Sequence, residues 1–228
     1  MHRQHPFRAL LLASLLLPAC AAKQPDPQIP NSAWPTSLPA GVSRSGTLYY
    51  RLPVVGMWRV QRTHVGNTHD QAYAFDMYMP TSNGRPFTGD GKHNTDWPAY
   101  GQPVVADGPG VVVIAVDGIP DNTPGVVNAY DQHGNYVVID HQNGEFSLVA
   151  HLIPSTLRVR PGQYVNAGNE LGRCGNSGQT TNPHVHWQVM DNANATIARA
   201  VLQHYLPYER NGQLYNGMPD QNDTIMAR

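Results

Sequence analysis

Histidine is the residue type that could do chemistry here: eleven of 228 residues, against 15 Lys plus Arg. Two of them form His184-Val185-His186 inside a strand-like run. Side chains two apart on a strand share a face, ~6.5–7 Å apart along it, so both imidazoles point into one pocket while Val185 turns away. A Gly/Asn/Thr-rich loop, 175–182, immediately precedes the pair. His151 ends the alternating run Phe146 to Ala150. On a regular strand it falls opposite Phe146, Leu148 and Ala150, and taken alone it reads as a strand-end surface residue. A third element is His69 with Asp76. The carboxylate lies amid Tyr73, Phe75, Met77 and Tyr78, where a charge needs a partner or a metal. Seven positions separate the two, an odd number, so a loop must intervene with His69 before it and Asp76 on the strand. Two histidines and one carboxylate, with water in the fourth place, would make an open, catalytic zinc site.

Strands must position these groups. The segments 47–52, 57–62, 74–79, 110–116, 136–140, 145–150 and 185–190 are β-branched or aromatic and are punctuated by Gly, Pro or Asn. Asn143-Gly144 signals a two-residue hairpin turn. The run 158–165 continues into 167–172 as further strand. A short helix is expected near Thr196–His204 and a turn around Pro154–Leu157. Two polar, Pro/Gly-rich stretches, 81–99 and 118–129, read as insertion loops that shape a groove. The whole is mainly β with few short helices.

Charged residues make up 14% of the chain and the net charge is −1, which leaves no electrostatic basis for binding nucleic acid. Hydrophobic residues reach 40%, enough for one ordinary domain with a real core. At the N-terminus, Arg3 and Arg8 precede the apolar stretch Ala9 to Leu17 and then Pro18-Ala19-Cys20-Ala21-Ala22. That is the pattern of a secretory signal peptide over residues 1–20, too short for a membrane span. Leu17-Pro18-Ala19-Cys20 resembles a bacterial lipobox with Cys20 as the lipidated residue; ordinary cleavage after Ala21 is the alternative. Either way Cys174 is left without a disulfide partner and reads as a small buried residue. Residues 21–45, rich in Pro, Gln, Asn and Ser, read as a flexible tether.

Several motifs stand in a fixed order: His before Ala-Tyr-Ala-Phe-Asp (72–76), Gly-Gln-Pro-Val-Val-Ala-Asp-Gly-Pro-Gly-Val-Val (101–112) and Gly-Asn-Tyr-Val-Val-Ile-Asp-His (134–141). Ala-His-Leu (150–152), Val-Arg-Pro-Gly-Gln-Tyr-Val-Asn-Ala-Gly (159–168), Gly-Asn-Ser-Gly (175–178) and Pro-His-Val-His-Trp (183–187) follow. The set resembles the lysostaphin/LytM-type zinc metallopeptidases that cut peptidoglycan peptides, over roughly residues 60–190. The resemblance implies an antiparallel β fold, duplicated hybrid motif-like, with a groove floored by one Zn²⁺. It implies a catalytic domain at 46–190 and a C-terminal extension at 191–228. His69, Asp76 and His186 match the metal ligands, and His151 and His184 match the catalytic histidines beside them.

The pattern departs from the family in three places. The usual His-to-Asp spacing is four positions rather than seven, which keeps His64 as a rival first ligand. The stretch 81–99 enlarges the loop after the Asp strand. Asn182 stands where Gly commonly precedes Pro-His. With that site the expected activity is hydrolysis of a peptidoglycan peptide by metal-activated water, with His184 as general base. His151 would meet the oxyanion or protonate the leaving amine, or the two histidines would exchange these roles. Activity should fall below about pH 5.5–6 as ligand imidazoles protonate. Asp140 and His141 read as rim or turn residues, or as supports of the site. The expected protein is a monomer of the bacterial periplasm or cell envelope, touching membrane only through a lipid on Cys20. The alternative role is a non-catalytic, LytM-like activator of cell-wall amidases, whose known members have typically lost zinc ligands.

Overall fold

The computed structural model describes residues 43–65 and 69–227. The signal segment, Cys20 and the tether up to residue 42 lie outside the described residues. The chain order is β1 (Ser43–Tyr50), β2 (Gly56–Thr63), a 3₁₀ turn (His69–Gln71), β3 (Phe75–Tyr78), a second 3₁₀ turn (Asn94–Asp96), β4 (Pro103–Val105), β5 (Gly110–Val116) and β6 (Asn135–Asp140). Then come β7 (Phe146–Leu152), β8 (Tyr164–Val165), β9 (Glu170–Arg173), β10 (Val185–Met190), β11 (Val201–Tyr205), β12 (Tyr208–Arg210), β13 (Gln213–Tyr215) and β14 (Thr224–Ala227). Ten of these make one antiparallel sheet in the order β13-β12-β14-β2-β3-β10-β7-β6-β5-β8. Two small ribbons, parallel β1-β11 and antiparallel β4-β9, complete the architecture.

Register decides what each face of the large sheet carries. Trp187 on β10 lies opposite Phe75 on β3 and Val149 on β7, and all three are fully buried. That face packs into the main core with Tyr50, Val104, Leu171 and Tyr205 from the small ribbons. One residue along, His186 lies opposite Asp76 and Ala150, so these three share the other face. The strand period of two thus separates core from chemistry within a single strand.

A buried polar network sits on the core side. The Asp107 carboxylate is met by Trp187 Nε1 and Ser147 Oγ, each at 2.8 Å, and Ser147 Oγ lies 2.9 Å from His141 Nε2. His141 therefore braces the core and does not support the histidine site. Asp140 is a turn residue whose carboxylate accepts a bond from Gln142 N–H at 2.7 Å.

Four expectations shift. The segment expected to be helical at Thr196–His204 ends in strand: Val201, Leu202 and Tyr205 are buried on β11, where pairing with β1 outweighs a weak helical tendency. The hairpin at Asn143-Gly144 forms, but His141 N–H to Glu145 C=O (3.0 Å) closes it over three residues, with Gln142 and Gly144 at positive φ. Strand β1 begins at Ser43, inside the stretch read as tether. The segment beyond 190 is no appendage, because β14 pairs with β2 and carries β12 and β13 on the same sheet. Cys174 is a free thiol buried in the main core, as expected from its isolation.

Candidate active site

The hairpin β2–β3 brings the first two groups together. Arg62 lies opposite Asp76 and Thr63 opposite Phe75, and the ladder runs on through His64 N–H to Ala74 C=O at 2.9 Å. His64, two residues beyond Arg62, shares the face of Asp76. Its Nε2 lies 3.1 Å from Asp76 Oδ2. On the other flank β10 presents His186, whose Nδ1 lies 2.8 Å from Asp76 Oδ1. Ligand atoms of His64, Asp76 and His186 lie within 4.8 Å of one another, and all three residues are nearly inaccessible. His69 begins the 3₁₀ turn between the two strands, and its side chain lies outside the described residues. The histidine that the sheet sets against Asp76 is thus the rival, His64. The loop that spacing demanded is present, but the histidine paired with Asp76 stands before it, just past the end of β2.

The donor arrangement fits a cation. His186 Nε2 lies 2.8 Å from Gln188 Oε1, and Gln188 Nε2 donates to Asp70 Oδ2 at 2.9 Å. The amide oxygen can only accept, so His186 carries its proton on Nε2 and aims the Nδ1 lone pair at a carboxylate oxygen. Two acceptors so close need a proton or a metal ion between them. Burial opposes charge on His186, yet the Asp76 bond and charge push its pKa up. Burial likewise opposes charge on Asp76, but His184, His186 and His64 together hold its carboxyl well below the usual carboxylate range. The Gln188 contact is the outer hydrogen bond that fixes a ligand imidazole's tautomer in metal sites. Gln188 was legible as the next step of the two-residue period after His184 and His186; Asp70 had no such signal.

His184 and His151 face the same cluster. His184 Nε2 is 3.7 Å from Asp76 Oδ1, and the His151 and His184 ring centroids are 4.7 Å apart. The Nδ1 of each is held by a backbone carbonyl, Asn182 C=O for His184 and Ser177 C=O for His151, both at 2.8 Å. Those carbonyls fix Nδ1–H, so both rings offer Nε2 lone pairs. His151 reaches the pocket against the alternation of its strand: its φ of 65° turns the side chain onto the face of Ala150. Asn182 pairs its amide with that of Gln61 on β2, at 3.1 and 3.2 Å, so the departure from the family pattern ties the His184 turn to the strand leading to His64.

One further histidine was not anticipated. His133 approaches His186 with ring centroids 6.4 Å apart, and its buried Nε2 has no hydrogen-bond partner among the described residues. It lines a cavity of about 390 Å³ with Tyr136, Leu148, Asn194 and Thr196. Burial, with the charge of His186, brings its pKa down from 6.5 to about 4. The unfolded chain therefore binds the extra proton first, and metal-free protein should lose stability as pH falls from about 6.5 towards 4. Replacing His133 by Phe should flatten the dependence of melting temperature on pH in that window by a few degrees, read by thermal denaturation.

Comparison with known proteins follows the same lines. A family model described as peptidase family M23 matches residues 92–197. The chain is 36% identical over 90 residues to a protein named peptidoglycan DD-endopeptidase ShyA of Vibrio cholerae, covering 40% of this chain and 18% of that one. It is 33% identical over 111 residues to ShyC of the same organism, named likewise, covering 47% and 22%. The chain thus spans about a fifth of the length of these curated relatives. Among solved structures it is similar to a putative peptidase M23 from Pseudomonas aeruginosa (25% identity, TM-score 0.42, covering 70% of this chain and 52% of that one). It is also similar to the deep-sea M23 metalloprotease pseudoalterin (18% identity, TM-score 0.46, covering 80% and 100%).

Proposed function

We propose, from the match of residues 92–197 to peptidase family M23, that the chain is a zinc-dependent endopeptidase hydrolysing peptide bonds in peptidoglycan stem peptides or cross-links. The observation that carries the reading is the convergence of His64, Asp76 and His186 with two further imidazoles turned toward them. His64 Nε2, an Asp76 oxygen and His186 Nδ1 would hold the ion, with His64 in the place that the family resemblance gave to His69. A zinc ion bound there supplies acidity to a water and polarises a carbonyl.

The protein's own groups do the rest. His184 takes the water's proton at Nε2, and the Asp76 charge 3.7 Å away favours the imidazolium that results. The same proton then passes to the leaving amine. His151, with Nδ1–H committed to Ser177, has only a lone pair to present, so its part is to accept a hydrogen bond or a proton. The oxyanion contact expected of it from sequence needs the charged ring. The family match over residues 92–197 and the names of the relatives support an envelope location. Among the described residues no helix is long and apolar enough to cross a membrane.

The test is digestion of purified peptidoglycan by the zinc-loaded protein, with mass analysis of the products. Cross-linked peptides opened at a peptide bond, and left intact after chelation, support the reading. A zinc-loaded protein that cuts nothing but stimulates an amidase overturns it in favour of an activator.

A further inference from the structure

The carbonyls that orient both free imidazoles belong to one loop, residues 175–182. It gives Ser177 C=O to His151, and Asn182 C=O to His184, whose Nδ1 also lies 3.1 Å from Thr180 Oγ1. Whatever holds that loop therefore sets the direction in which two rings aim their lone pairs. On one side the loop rests against the start of β6, where Asn135 N–H donates to Ser177 Oγ at 3.0 Å. Gly134 and Gly178 permit the approach, since a methyl group on Gly134 would overlap the Ser177 carbonyl.

The other side is held by the two polar insertions. Asn122 Nδ2 donates to Gly178 C=O at 2.7 Å and to Thr180 C=O at 3.0 Å, while its own N–H donates to Asn176 C=O at 2.8 Å. Asp121 Oδ1 accepts from Asn176 N–H at 2.8 Å, and Gly125 N–H donates to Thr181 C=O at 2.8 Å. From the first insertion, Asn94 Nδ2 donates to Asn122 C=O at 2.8 Å, and Asn94 Oδ1 accepts from Asn176 Nδ2 at 3.0 Å. The insertions thus meet over the loop through side-chain amides, whose paired donors and acceptors leave little freedom of orientation.

We propose that Asn122, seated by Asn94, is a positioning residue: it clamps the 175–182 loop so that Ser177 and Asn182 hold His151 and His184 with Nδ1 protonated and Nε2 aimed at the His64, Asp76 and His186 group. The insertions then serve as a brace for the catalytic histidines, and their removal from the loop misaligns groups they never touch. This rests on the endopeptidase reading for its catalytic consequence, though not for its structural one. Displacing positioned groups by about an ångström costs up to about a hundredfold in rate, so a loosened clamp acts on turnover more than on substrate binding.

The test uses the full chain loaded with zinc. Long-range ¹H–¹⁵N correlation spectra report imidazole tautomers, and kinetics on cross-linked peptidoglycan peptides report kcat and KM. Wild type should show His151 and His184 each in one neutral tautomer protonated at Nδ1. Asn122→Ala should lose that signature in at least one ring and lower kcat about tenfold or more, with zinc stoichiometry and KM little changed. Unaltered tautomer signals with kcat within about twofold of wild type would overturn the proposal. Should Asn122→Ala not fold, Asn94→Ala carries the same test, with a smaller change in the same signals expected and unchanged signals overturning it. The spectra need no turnover. A wild-type protein that cleaves nothing, yet shows clamp-dependent tautomers, would defeat the endopeptidase reading and leave the clamp standing.

Discussion

Changing Asp76 to asparagine is expected to abolish zinc retention and peptidoglycan hydrolysis together, while the protein stays folded. Asp76 is the hub of the site: one oxygen lies 2.8 Å from His186 Nδ1 and the other 3.1 Å from His64 Nε2. Asparagine has the same shape, so the β2-β3-β10 register that places it should survive. Its single amide oxygen can satisfy one neighbour only, and its NH₂ turns a donor toward the other. The charge is lost as well, and with it the attraction that holds a dication among two neutral rings. Removing an outer support of a metal site already costs about 10–100-fold in affinity, so loss of the ligand itself should cost more than about a hundredfold. Metal analysis after dialysis and circular dichroism check the two halves of the expectation. His64→Ala should reproduce the metal loss, and His69→Ala should not.

His184→Ala should give a different result: zinc retained, KM little changed, and kcat lower by about 10²–10⁴-fold. The ring contributes no atom to the ligand set but presents an Nε2 lone pair beside it. Its protonation also fixes the sign of the pH dependence. Burial depresses the His184 pKa below 6.5, with Asp76 offsetting part of the effect. Burial, then the neighbouring rings His184 and His186, depress that of His151 further. A bound dication pushes both the same way. Each ring then stays neutral and able to accept a proton at lower pH than an exposed imidazole does. The acid limb of kcat/KM should therefore lie below pH 6.5 rather than at it, as a pH–rate profile of the wild type would show.

The parts of this site that could be read from sequence are those carried by local periodicity. His184-Val185-His186 needed only the two-residue repeat of a strand, and the structure places both rings on one face with Asp76. Asp76 declared itself by its apolar neighbours, which form the buried side of β3. His64 depends on which strand pairs with β3 and in what register, and the family resemblance was carried onto the nearer His69. His151 was assigned to the outer face by alternation, a rule that a single left-handed residue breaks. The roles of 81–99 and 118–129 were invisible for a similar reason, since Asn122 donates to carbonyls, and Asn94 accepts from an amide, more than fifty positions away. Strand β11 was masked by residues that suit a helix as well, until a partner strand took them.

Anomalous scattering at the zinc edge from crystals of the metal-loaded protein goes straight to the centre of the account. One peak is expected, bounded by His64 Nε2, an Asp76 oxygen and His186 Nδ1, with His151 and His184 nearby but unbound. A peak ligated by His69, or none beside Asp76, would contradict it.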